Sequence, residues 1–377
     1  MTHFDVAIVG LGAMGSASAY CLARRGARVV AFDQASPPHS LGSTHGRTRI
    51  IREAYYEHPL YVPLVRRAYE LWSEIQREAG ETLLMQTGGV MVGPEDGPLV
   101  RGALESARTH GIAHEMLDAR ALAARFPAYR AHDDWVALLE HRAGMLFPER
   151  CVRAFLSLAG KHGAELRLNE QVTSWTPAKE GISVASTGGT FTASRLVVAA
   201  GPWLPNLGDS LGVELPLEIE RQMSHWFQPT PVPDNRYHAS NCPIGLWETN
   251  ATDVFATLPD EGHGVKCGTH HAGTATSPES VDRKVSDAEN AAARALLEHV
   301  MPGAATRLLD SRVCLYTNTL DRHFIIDWLK GQRVLVVSPC SGHGFKFASS
   351  IGEIVAQLVL DGRSWLDLAP FSLSRFR

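Results

Sequence analysis

An α/β fold (α+β overall), in which a dinucleotide-binding domain is interleaved with a mixed-sheet domain, is predicted by three observations. A buried strand, a glycine-rich turn and a small-residue helix open the chain. An apolar strand pattern returns at residues 196–200 and again at 333–338, the latter followed by a helix. Between them lie segments patterned as short strands with few helices, so the nucleotide-type elements sit at both ends and near the middle.

Residues 4–9 read as a buried strand, and Gly10-Leu-Gly-Ala-Met-Gly15 leads into a helix reaching about residue 25. Gly26 ends that helix, and residues 28–33 form the second strand, completing a Rossmann-like βαβ start. Residues 36–46 have loop composition. Leu64, Val65, Ala68, Leu71, Trp72 and Ile75 recur at helical spacing, predicting a helix over 62–78. Residues 89–92 are strand-like within a mixed segment, and 228–234 are a proline-rich loop. A helix is expected over 287–300, in a region of otherwise short strands from 221 to about 318. Ile351, Ile354, Val355, Leu358 and Val359 mark the face of the last helix, which Gly362 stops. This pattern divides the chain into a nucleotide domain (1–85, 146–220 and 311–377) and a substrate domain (86–145 and 221–310).

The 377 residues are enough for two domains and a large core. Hydrophobic content of 45 % and charged content of 20 % are those of a globular protein. A net charge of -4 without a basic tract argues against nucleic acid or a membrane surface as partner. Six cysteines without CxxC spacing argue against a disulfide framework and fit a reducing compartment. No charged residue lies between Asp5 and Arg24. That stretch lacks the basic start of a signal peptide, and its three glycines fit a phosphate turn better than a membrane span. The terminal Ser-Arg-Phe-Arg is not a peroxisomal address, so the cytoplasm is the expected location.

Gly10, Gly12 and Gly15 satisfy G-x-G-x-x-G between a strand and a helix. Their roles are a tight turn, close backbone approach to a pyrophosphate, and close helix–strand packing. The helix N-terminus then offers unpaired N–H groups to phosphate. Asp33 ends the second strand, where its carboxylate accepts from a ribose diol and repels a 2′-phosphate. These residues establish a dinucleotide and leave NAD or FAD open.

A lone cysteine is usually a small buried hydrophobe. Cys314 stands in a string that, with three others, carries a resemblance: Gly42-Ser-Thr-His-Gly-Arg-Thr-Arg-Ile-Ile-Arg52, Val198-Ala-Ala-Gly-Pro-Trp203, Val313-Cys-Leu-Tyr-Thr-Asn-Thr-Leu-Asp-Arg-His-Phe-Ile-Ile-Asp327, and Ser341-Gly-His-Gly-Phe-Lys-Phe347. Together they resemble the monomeric sarcosine oxidase and N-methyltryptophan oxidase family of D-amino-acid-oxidase-like flavoproteins, over essentially the whole chain. The resemblance implies FAD attached covalently through Cys314. It also implies oxidation of a secondary amino acid to an imine, with O₂ reduced to H₂O₂, by a monomer.

It further implies roles by position. Met14, Ser43, His45, Arg49, Gly201, Gly342, Gly344 and Lys346 join the glycine turn and Asp33 around the cofactor. Arg52 holds the substrate carboxylate with help from Lys346, and a planar guanidinium suits that task. Lys266 matches a lysine that promotes reaction with oxygen. His270 matches an active-site histidine, and Tyr55 and Tyr316 line the site. The pair His270-His271 does not suggest metal, since consecutive strand residues face opposite ways; no metal is expected.

One match fails. Where the family has an active-site tyrosine, Val254-Phe-Ala-Thr-Leu-Pro259 puts Ala256, or else Phe255, at that place. Trp247 and His263 are candidates for the vacated space. Two other readings stay open: a dehydrogenase using another electron acceptor, and a non-catalytic nucleotide-binding module.

Overall fold

Five parallel strands form the centre of the first sheet in the computed structural model, in the spatial order Glu165–Leu168, Val29–Asp33, His3–Val9, Gly189–Val198 and Val334–Ser338. The structure describes residues 3–249, 253–329, 331 and 333–376; the final arginine of the terminal tetrapeptide lies outside them. From His3–Val9 the chain moves to one side for Val29–Asp33, while Gly189–Val198 lies on the other. The loops leaving these two neighbours therefore diverge, opening a crevice at the carboxyl ends of the strands. Gly10 stands at its mouth with φ +92°, and a Cβ there would lie 2.5 Å from the Ala199 carbonyl oxygen. Only glycine fits, because both backbone sign and space forbid a side chain.

Helix Ala13–Arg24 is rich in small residues because it is covered closely by helices Pro148–Lys161 and Ala348–Asp361. A Cβ on Gly352 would lie 2.7 Å from the Ala17 backbone, so these two helices meet nearly backbone to backbone. Helix Val62–Ala79 buries its predicted stripe and ends on Gly80 in the left-handed region (φ +68°). Its buried Trp72 donates from Nε1 to the Lys346 carbonyl (2.9 Å), tying the first-sheet helices to the Lys346 turn.

A second sheet of nine strands carries the rest. Leu217–Gln228 and Arg307–Thr319 pair antiparallel from Leu217↔Thr319 to Gln228↔Arg307. These two long strands replace the short ones expected there. Polar residues such as Glu220, Gln222, Asp310 and Arg312 interrupt the apolar pattern, but the ladder needs only backbone groups. Cys314 thus belongs to the second sheet by pairing, opposite Gln222, although it falls in the segment expected to serve the nucleotide domain. A three-stranded sheet of Arg49–Ile51, Gly144–Leu146 and Leu84–Gln86 sits between the two large ones in sequence. Helix Asp287–Val300 has the predicted bounds; Ser286 and Glu289 cap its N-terminus reciprocally. Among the described residues no helix is long and apolar enough to cross a membrane.

Candidate active site

A cavity of about 840 Å³ runs from the Gly10 turn to the face of the second sheet. At the first end lie Gly12, Met14, Asp33, Ser43 and Gly201. Asp33 accepts backbone N–H bonds from Leu11 (2.8 Å, Oδ2) and Ala35 (2.9 Å, Oδ1), which hold its carboxylate at the wall. Each oxygen keeps a further lone pair for a ribose hydroxyl. Gly15 stands behind the wall; a Cβ there would fall on the Gly10 carbonyl, which is the packing role expected of it. These residues suit an extended dinucleotide, with the pyrophosphate against the turn and helix N-terminus.

At the other end four cations converge: Arg49, Arg52, Lys266 and Lys346 all line the cavity. The Arg49 guanidinium is 3.5 Å from Cys314 Sγ and donates to the carbonyls of Thr48 (2.9 Å) and Ser43 (3.0 Å). Lys266 Nζ donates to the Gly46 and Thr48 carbonyls, each at 2.7 Å. Burial first, then the Arg49 charge, push its ammonium well below the ordinary lysine range.

Arg52 is 2 % exposed and clamped between Tyr55 and Tyr56, with its guanidinium 4.4 and 4.7 Å from the two ring centres. It donates to the Ala54 carbonyl (2.9 Å) and to Glu57 Oε2 (2.6 Å), but its buried Nε has no partner among the described residues. Lys346 donates to the His343 carbonyl (2.6 Å) and the Tyr55 hydroxyl (3.3 Å). Burial, followed by the Arg52 charge, lowers it to about 7 against the pull of Glu57. Burial raises the Glu57 carboxyl, yet the Arg52 charge and then those of His343 and Lys346 win, holding it below its usual range.

His270 ends strand Val265–His270 and hydrogen-bonds Tyr316 Oη through Nδ1 (3.1 Å). Burial and the adjacent His271 keep its ring neutral by lowering it well below the ordinary histidine range. Gly342 (φ +76°) lies against both rings, and a Cβ there would be 2.6 Å from His270 and 2.5 Å from Tyr316. Gly344 is held bare by the Pro339 carbonyl. The two histidine rings do not face opposite ways as expected. The strand ends at His270, His271 turns into the left-handed region (φ +61°), and the ring centres are 4.0 Å apart. Among the described residues no group of three or more His, Cys, Asp or Glu could hold a metal ion.

Four expected residues fall elsewhere. Trp247 alternates away from the cavity and packs on Tyr129, donating to Thr257 Oγ1 (3.1 Å). His263 is exposed, with its Nδ1 3.2 Å from Glu261 Oε2. Tyr55 is buried behind Arg52 and Lys346, and its neighbour Tyr56 reaches the wall instead. His45 is buried behind the wall with neither ring nitrogen partnered among the described residues; burial and then Arg49 lower it to about 3, so it is neutral. Two carboxylates went unpredicted. Glu57 stands five residues after Arg52. Glu149 Oε1 accepts from the Gly46 (2.7 Å) and Arg47 (3.1 Å) N–H groups, clamping the turn that holds Lys266.

A dinucleotide crevice joined to a cation-lined pocket defines a nucleotide-dependent redox enzyme. The model of the family described as FAD dependent oxidoreductase (DAO) matches residues 5–358, and the chain belongs to that family. A monomeric sarcosine oxidase of Streptomyces avermitilis is 41 % identical over 365 residues, covering 95 % of this chain and 94 % of the relative. An N-methyl-L-tryptophan oxidase of Escherichia coli K12 is 36 % identical over 381 residues, covering 99 % and 100 %. Two solved structures share the fold. NikD, an amino acid oxidase, has TM-score 0.85 at 23 % identity over 99 % of this chain and 98 % of that one. Glycine oxidase from Geobacillus kaustophilus has TM-score 0.82 at 22 % identity over 100 % and 99 %.

Proposed function

We propose that this protein oxidises a secondary amino acid, N-methyl or cyclic, to an imine, with O₂ reduced to H₂O₂. The observation that carries the reading is Arg52. It is a buried guanidinium with an unpartnered Nε, in the same cavity as the dinucleotide crevice and beside a second cation, Lys346. An unpaired buried donor costs about 1–3 kcal/mol, and a ligand carboxylate removes that cost. The curated relatives named above act on sarcosine and N-methyl-L-tryptophan, both secondary amines that carry a carboxylate.

Bound FAD supplies the two-electron acceptor for a hydride equivalent from the carbon beside nitrogen and the route of electrons to O₂. Arg52 and Lys346 bind and orient the carboxylate. Neutral His270 offers a hydrogen bond to the amine, which reacts with its lone pair free. Gly10, Gly12, Met14, Gly15, Asp33, Ser43 and Gly201 support the dinucleotide. Gly342, Gly344 and Lys346 border the ring end. The eight-stranded sheet, from segments 1–85, 146–220 and 311–377, serves the cofactor, and segments 86–145 and 221–310 serve the substrate, with strand Arg307–Thr319 common to both. The relative named monomeric sarcosine oxidase supports a monomer. Six cysteines without CxxC spacing fit a reducing compartment, which supports the cytoplasm.

Cys314 is the proposed tether, through a thioether to the flavin 8α carbon. The residue lines the cavity and is 6 % exposed, with its sulfur 3.5 Å from the Arg49 guanidinium. Acid precipitation is expected to leave flavin on the wild-type protein and to release it from Cys314→Ser. Release from both proteins overturns the tether. For the reaction, one peroxide is expected per substrate consumed. Substrate loss without peroxide favours the dehydrogenase reading, and no flavin reduction by any secondary amino acid overturns the function.

A further inference from the structure

The second sheet turns one face to the cavity, and its register decides which side chains stand together. Ala256 pairs with Gly268 on one side and Leu246 on the other. Two residues along the strand, Leu258 pairs with Lys266; two residues the other way, Val254 pairs with His270. Positions two apart share a face, and each of these residues lines the cavity. The face therefore reads as three rows. Lys266 and Leu258 form the first, Gly268, Ala256 and Leu246 the second, and His270 and Val254 the third.

The middle row is a gap. Two adjacent strands offer nothing larger than a methyl group there, while Leu258, Val254 and Leu246 rise around it. With rows roughly 6.7 Å apart along each strand and strands about 4.8 Å apart, the gap is as wide as a six-membered ring. No side chain in it donates or accepts a hydrogen bond, so water there is poorly held. Gly268 is bare for a separate reason: its Cβ would lie 2.7 Å from the Met223 carbonyl oxygen. Ala256 is thus the position that sets the depth of the slot.

We propose that this slot binds an apolar ring or branched side chain of the substrate, so that the preferred secondary amino acids are bulkier than N-methylglycine. The inference rests on the reading above, in which Arg52 and Lys346 hold the carboxylate. The slot lies in the same cavity as that pair and between Lys266 and His270. Leu246, Ala256 and Gly268 offer apolar contact alone, and the polar groups Ser224, Lys266 and His270 stand at the slot's margins, so its centre selects an apolar substituent.

The test uses the holoprotein and plain carboxylates: acetate, butyrate, cyclohexanecarboxylate and phenylacetate, titrated by the change in flavin absorbance. Affinity is expected to rise roughly four-fold per buried methylene. In Ala256→Phe the ratio of ring-acid to acetate affinity is expected to fall at least about ten-fold, and in Ala256→Leu by a smaller factor. Turnover of N-methylglycine, N-benzylglycine, N-methyl-leucine and pipecolate then tells whether the apolar group sits on nitrogen, on the α-carbon or in a ring joining both. Equal affinity for acetate and the ring acids, or an unchanged ratio in both folded variants, overturns the slot and leaves the proposed reaction standing. Absence of any carboxylate effect, together with no flavin reduction by any of the four amines, overturns the reaction itself and the slot with it.

Discussion

Replacing Arg52 with methionine is expected to weaken carboxylate ligands by ~2–5 kcal/mol, the range for truncating one partner of a buried charge pair. That is a factor of roughly 30 to 5,000 in dissociation constant. The effect is large because the guanidinium is held rigid by Tyr55 and Tyr56, and only two of its five N–H donors are spent, on Ala54 and Glu57. Glu57 already pairs with it, so the substrate carboxylate has to share or displace that partner. Removing Arg52 also leaves Glu57 without its main counter-charge, which costs stability. The double variant Arg52→Met, Glu57→Gln separates the two losses: it is expected to recover melting temperature without recovering affinity. A ligand whose carboxylate is replaced by a neutral amide is expected to lose little. Equal loss for acid and amide sinks the assignment.

Lys346 adds a pH signature to the same measurement. Its lowered value, about 7, means the ammonium is present below that pH and lost above it. Affinity for a plain carboxylate is therefore expected to be highest below pH 7 and to decline as pH rises, with Arg52 keeping its charge throughout. A bound carboxylate raises the lysine value in turn, so the decline shifts upward at saturating ligand. A plain acid is the right probe, because an amine substrate gains reactivity with pH as it loses its own proton.

That Arg52 and Lys346 line the cavity was legible because their strings carry the resemblance. The glycine turn was legible for a firmer reason, since its three positions each fail with any side chain or serve as backbone contact. What escaped depends on facing. Trp247 sits one residue from Leu246 on the same strand, and a period of two sends one to the cavity and the other to the far core. Tyr55 and Tyr56 differ likewise by one position in an irregular stretch, where no periodicity exists to choose between them. Glu149 follows Pro148 at the start of a helix, so in sequence it reads as an ordinary first-turn acid. Its partnership with the Gly46 turn, about a hundred residues away, has no local signal. The long pair of strands at 217–228 and 307–319 was hidden for a related reason. Their neighbours include solvent and cavity as well as core, so apolar alternation breaks while the backbone ladder continues.

Lys266→Met is expected to slow the reaction of the reduced holoenzyme with O₂ by roughly 10²–10³, the usual cost of removing one preorganised charge-stabilising donor. Anaerobic reduction by substrate is expected to change far less, because the proposed carboxylate site is Arg52 and Lys346, not Lys266. The geometry explains both halves. Of the three N–H donors on Nζ, two are spent on the Gly46 and Thr48 carbonyls, which leaves one for the cavity. Glu149 accepts from the Gly46 and Arg47 N–H groups and so steadies the turn that carries these carbonyls, and Trp226 packs against the ammonium with its ring centre 5.2 Å away. A cation so placed needs no rearrangement when negative charge develops on oxygen. Arg49 opposes its protonation, Glu149 favours it, and His45 beside them is neutral. With burial dominant, the ammonium is lost at a lower pH than for a free lysine. The oxygen rate of the wild type is therefore expected to fall as pH rises, while the methionine variant stays flat and slow. Stopped-flow traces of the two half-reactions across pH measure this directly. Equal slowing of both halves, or the same pH dependence in variant and wild type, removes Lys266 from the oxygen step.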